Sequence, residues 1–185
     1  MRRTPLLQLA APIDALNASV GKAMRWLVLA AVLVSAGNAT VRYGFDTGSN
    51  AWLEVQWYLV SAVFLLGAGD ALREGVHVRI DLLAGRLSHR AQAWIDIFGA
   101  SFMLLPAAAV IGWYGWESFL LAWQSGEVSP DAGGLVRWPA RLLVPAGFAL
   151  LILQAIAETL KRAAFLRGEC DWHPRAPAHD AATQA

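Results

Sequence analysis

Residues 52–72 read WLEVQWYLVSAVFLLGAGDAL. Between Glu54 and Asp70 there is no charged side chain. The run is about 20 residues long, the length at which a helix rising about 1.5 Å per residue crosses about 30 Å of hydrocarbon. Lipid offers no hydrogen bonds to a bare backbone, so a segment of this kind must satisfy its own N–H and C=O groups as a helix. This stretch is therefore read as a transmembrane helix, and the question becomes how many others accompany it.

Three further runs share its character. They cover about residues 23–41 (AMRWLVLAAVLVSAGNATV), 91–123, and 138–160 (WPARLLVPAGFALLILQAIAETL). The third is unusually long and contains Pro106, which is expected to bend it. Over the whole chain 57% of residues are hydrophobic and 16% are charged, against about a quarter charged in soluble domains. The expected fold is all-α, an integral membrane protein of four transmembrane helices spanning residues 23–165. Residues 1–22 form an amphipathic interfacial helix with Leu9, Ile13, Leu16 and Val20 on one side. That segment is too polar for the apolar part of a cleaved signal. Residues 166–185 read as a disordered cytoplasmic tail. No internal repeat is present.

Basic residues give the direction. Arg2, Arg3, Lys22 and Arg25 precede or open the first span, and Arg42 alone lies between the first and second. Arg73, Arg79, Arg86 and Arg90 follow the second span, Arg137 and Arg141 the third, and Lys161, Arg162, Arg167 and Arg175 the fourth. The alternation places both termini and the loop after span two in the cytoplasm. That loop, REGVHVRIDLLAGRLSHR, is then a polar connector. Ile80, Leu83 and Leu87 at helical spacing suggest a short amphipathic turn, and Ser88 suits the N-cap of span three. Trp94 and Trp113 are spaced by about 28 Å of helix and fit two interfacial belts. Trp138-Pro139 opens span four with an interfacial aromatic and a first-turn proline.

Candidate chemistry is sparse. His77 and Asp81 share a helical face, but a metal site needs further ligands in fixed geometry. All four histidines (His77, His89, His173, His179) lie outside the predicted spans, which argues against a bis-histidine haem anchor. The single cysteine, Cys170, excludes an internal disulfide or a Cys-Cys redox pair. Neither metal nor cofactor is expected, and no phosphate loop, nucleophile–base pair or nucleic-acid patch is present. Ionisable residues in spans are functional suspects by default. Glu54 and Glu117 fall near the periplasmic interface, and Asp70, Asp96 and Glu158 near the cytoplasmic one, with none at mid-depth. Contacts between helices or subunits are the expected role. Trp113, Trp116 and Trp123 mark one face of span three, and Gly67/Ala71 and Ala108/Gly112 are pairs that permit close helix approach.

The stretch RYGFDTGSNAWLEVQWYLVSAVFLLGAGDALREGVHVRIDLL resembles the small, DctQ-type membrane subunit of TRAP transporters, the tripartite ATP-independent periplasmic transporters. The resemblance rests on Arg42, Tyr43 and Phe45 after span one, on Glu54, on Gly67 and Ala68, and on His77, Arg79 and Asp81. In the second half it rests on Ser129-Pro130, Trp138-Pro139, Pro145 with Gly147-Phe148, and Leu153-Gln154, and it covers about residues 20–165. It implies a subunit that is not an enzyme. Such a subunit binds a large elevator-type membrane subunit carrying the substrate and sodium sites, and is served by a periplasmic substrate-binding protein for small organic acids in the bacterial inner membrane. Arg42, Glu54, Asp70, His77, Arg79, Asp81 and Trp138 are then structural or partner contacts. Two other classes compete: the membrane anchor of a redox enzyme, and a stand-alone small exporter with Glu54 or Asp70 as coupling acid.

Overall fold

The computed structural model describes residues 5–46, 48–75, 87–131 and 133–170. Four long helices account for most of them: α1 (Pro5–Phe45), α2 (Asn50–Glu74), α3 (His89–Ser125) and α4 (Trp138–Leu166). All four are long and apolar enough to cross a membrane. Each extends past its apolar run, because the helical hydrogen-bond ladder continues into the interfacial polar residues. α1 runs without interruption through residue 22. Its 41 residues amount to about 60 Å of helix, roughly twice the hydrocarbon thickness.

The ends follow local chemistry. Ser88 caps α3 by accepting a hydrogen bond from Ala91 N–H at 3.3 Å. α2 stops where Gly75 takes a left-handed conformation, its N–H closing on the Ala71 and Leu72 carbonyls. Within α3 the expected disturbance at Pro106 takes the form of a π-helical stretch, Gly99–Leu104. Proline has no N–H to donate to the Phe102 carbonyl, and its ring crowds that oxygen. A wider turn immediately before it makes room, and Leu105 N–H bonds back to Ala100.

α4 is the axis of the bundle. It packs against all three other helices, α1 and α2 pack on each other, and α3 docks mainly on α4. The interior is lined by small residues: among the described residues the buried apolar side chains are all alanines, including Ala62, Ala93, Ala108, Ala122, Ala155 and Ala157. The largest fully buried side chains are polar, Asn17 and Gln154, both 0% exposed. Large apolar residues point outward instead, including Trp26 (75% exposed), Phe64, Phe102 and Leu121. This is the reverse of a water-soluble core and is what a hydrocarbon solvent demands. Burying leucine against leucine gains little over leucine against lipid, so contact comes from close backbone approach and polar pairing.

The tightest approach of a glycine to the main chain of another helix is at Gly147, where a Cβ would stand 2.6 Å from the Leu65 carbonyl oxygen of α2. Of the small-residue positions singled out in the sequence, Ala108 is buried and Gly112 meets Phe148 at ordinary contact distance. A Cβ at Gly67 would meet only the side chain of Met24, at 3.9 Å. The tight crossing of α2 and α4 falls elsewhere because it depends on which face α4 turns to α2.

Candidate functional site

The polar side chains gather in two layers, one at each end of the bundle. The first is built around the connection from α3 to α4. Residues 127–131 and 133–137 pair with each other: Ser129 N–H bonds to the Leu135 carbonyl and Arg137 N–H to the Glu127 carbonyl, both at 2.9 Å, and Val128 and Val136 form an antiparallel bridge. Glu54, from the first turns of α2, is only 3% exposed. Its carboxylate accepts the Leu135 N–H at 2.7 Å. One turn further on, the Tyr58 hydroxyl donates to the Val136 carbonyl at 3.1 Å. α2 thus grips the loop by two side chains on one face, at i and i+4.

Glu127 completes this layer. It accepts from Arg137 at 2.9 Å and from Arg141 at 2.6 Å, and Arg141 reaches on to the Ser118 hydroxyl of α3 at 3.1 Å. The two arginines counted between spans three and four are therefore both paired with one carboxylate. Trp138 packs edge-on to Trp123, with ring centroids 4.8 Å apart, and against Phe119. It seals α3 to α4 beneath the arginines. Among the tryptophans of α3, Trp123 thus faces α4, while Trp113 is largely exposed and donates to Glu117 at 2.9 Å.

The second layer joins α1, α3 and α4. Gln154 sits at its centre. It accepts from Asn17 Nδ2 at 2.9 Å and donates to Asp14 at 2.8 Å and Glu158 at 3.2 Å. Lys161 pairs with both Asp14 and Glu158. Arg162 pairs with Asp96 of α3 at 3.0 Å and with Glu158 at 3.2 Å. Beside this network Asp70 of α2 is paired with Arg73 at 2.7 Å. Asp70 lies against Gly21, where any Cβ would collide with its carboxylate. Asn17 Oδ1 is buried without a hydrogen bond among the described residues.

The structure therefore separates the residues singled out by sequence. Glu54 and Trp138 belong to the first layer and Asp70 to the edge of the second. Arg42 is exposed near the end of α1. His77, Arg79, Asp81 and the amphipathic turn that includes Ile80 and Leu83 lie outside the described residues. Asp14, Asn17 and Glu127 escaped the sequence reading, and Lys161 entered it only as a topology charge; all stand in polar flanks where charged residues are ordinary. The spacing of Gln154, Glu158, Lys161 and Arg162 along one face of α4 was the available signal. Chemically, both layers consume their charges internally and hold helices together.

A family model for the tripartite ATP-independent periplasmic transporters, DctQ component, matches residues 31–165. No curated protein and no solved structure matches the chain. The matched region runs from the middle of α1 to the last turn of α4, and so takes in the first polar layer whole and the α2, α3 and α4 side of the second. With four apolar helices of spanning length and a family match over more than half its length, the chain is a multi-pass membrane protein belonging to the DctQ component family, the small components of TRAP transporters.

Proposed function

We propose that the chain is the small permease subunit of a sodium-coupled, binding-protein-dependent transporter of small organic acids, and that it scaffolds a large elevator-type subunit. The observation that carries this reading is the inside-out distribution of side chains. Its buried ionisable groups are tied up in two layers at the bundle ends, and its large apolar groups face outward. Such a protein is rigid at both ends and offers broad apolar flanks, the properties of a fixed support. The role of coupling acid suits Glu54 and Asp70 poorly, since each already serves a neighbour within the subunit. Arg42 at one end, and His77, Arg79 and Asp81 at the other, are its contacts with lipid or with the large subunit.

In this reading the chain lies in the bacterial inner membrane with both termini cytoplasmic. The second polar layer is at the cytoplasmic side, residues 1–22 run along or through that interface, and residues 166–185 form a cytoplasmic tail. Two partners are implied, the large membrane subunit and a periplasmic substrate-binding protein. The test is reconstitution into proteoliposomes under an inward sodium gradient. Uptake of a carboxylate solute should require all three components, and the chain alone should give none. Uptake by the chain alone would overturn the scaffold and point to a small exporter-like carrier.

A further inference from the structure

At the end of the bundle that holds Glu54, a groove lies between α1 and α2. Its apolar part, about 590 Å³, is lined by Leu33, Val34, Gly37, Val41 and Trp52. Its polar part, about 250 Å³, is lined by Arg42, Asp46 and Asn50. Asn38, Gly48 and Ser49 border both parts, so the two are one continuous cleft. The combined size is that of a ligand cleft rather than a packing defect. Arg42 is exposed, and its guanidinium makes no ion pair within the described residues. Asp46, held in a left-handed conformation with φ 50° at the end of α1, supplies the opposite charge to the same polar part.

We infer that this cleft binds one zwitterionic phospholipid, with an acyl chain in the apolar part, the phosphate at Arg42 and the headgroup ammonium at Asp46. The apolar part opens between two helices that face hydrocarbon, and the charged part stands where those helices end, at the depth of the headgroups. A guanidinium suits a phosphate by charge-assisted hydrogen bonding. A carboxylate in the same part disfavours a purely anionic headgroup and complements an ammonium. A helix of a partner protein would match the apolar lining but would have no use for the two opposite charges. The inference rests only on α1 and α2 crossing the membrane; it is independent of which solute is carried and of which side this end faces.

Native mass spectrometry of the full chain, delipidated in detergent and titrated with palmitoyl-oleoyl phosphatidylethanolamine, tests it. One phospholipid should be retained, in preference to phosphatidylglycerol and to diacylglycerol. Arg42→Gln should weaken retention about tenfold, the scale of losing a charge-assisted hydrogen bond. Asp46→Asn should abolish the preference over phosphatidylglycerol. Gly37→Leu should block the apolar part and abolish retention. A Cβ at Gly37 meets nothing within 4 Å, so the helix content and melting temperature of that variant should match the parent. Retention that is absent in the parent, or unchanged in both Arg42→Gln and Gly37→Leu, overturns the inference. So does displacement of the lipid by the large subunit with cross-linking from Gly37→Cys, which would assign the cleft to a protein interface.

Discussion

Glu54 shows how an ionisable residue in a span serves architecture. An ionised carboxylate is costly to bury in a membrane protein unless it is well bonded. Here the main-chain N–H of Leu135 supplies that bond at 2.7 Å. Removing the acceptor leaves a partly buried N–H unpaired, a penalty of up to about 1–3 kcal/mol. Glu54→Ala should therefore lower the melting temperature in detergent and expose residues 127–137 to protease, while Glu54→Gln, which keeps an acceptor, should be milder. The subunit's yield should fall in parallel, without selective loss of its partner. An unchanged melting temperature together with an equally resistant loop would show that the carboxylate is dispensable to the fold and free for another task. The sequence marked Glu54 as unusual but left its partner open, since the partner is a backbone group 81 positions away.

Between elements, the decisive contact is the crossing of α2 and α4. Helices in lipid gain most from approaching closely enough for backbones to touch, and at this crossing Gly147 meets the Leu65 main chain most tightly, with Gly69 against Leu150 beside it. At Gly147 the neighbour is main chain and has little room to yield. Gly147→Leu should force the helices apart, at about 1–3 kcal/mol or more by the measure of overpacked cores. Its expected outcome is a several-fold fall in accumulation of folded protein, measured by fluorescence-detected size exclusion. Gly99, where a Cβ meets nothing within 4 Å, is the matched control: Gly99→Ala should accumulate normally. Equal accumulation of the two variants would mean that α2 and α4 are not held at this separation. The π-helical stretch before Pro106 belongs to the same scale. Sequence predicted a disturbance there, whereas the widened turn that relieves it is a property of the folded helix.

For the whole molecule, the arrangement of layers carries a directional expectation. The loops containing Ser49 and Asp131 join the same end of the bundle, and Ser88 opens α3 at the other. In a Cys170→Ser background, cysteines placed at positions 49 and 131 should react with a membrane-impermeant maleimide in intact cells. A cysteine at position 88 should react only after permeabilisation. Labelling of position 88 from outside would invert the topology proposed from the basic residues. The internal pairing of Arg137 and Arg141 with Glu127 sharpens the expected asymmetry. Once folded, neither is a free cation at that surface, although both were counted there.

The chain alone pointed to four helices long and apolar enough to cross a membrane, and to Ser88 as the cap of the third. These are local matters: an apolar run in lipid has one backbone solution, its length is set by hydrocarbon thickness, and caps are decided by neighbours a few residues away. The chain alone did not determine that α4 is the axis, that Gly147 rather than Gly67 sets the helix separation, or that Gln154 finds Asn17 and Asp14. Those are lateral choices, and the spans are apolar on nearly every face. Lipid rewards no particular face, so apart from the polar spacing near the end of α4 the sequence carried no stripe to read. Only the tertiary structure, by bringing polar groups at the ends into register and glycine against backbone, selected one packing among the many that hydrophobicity permits.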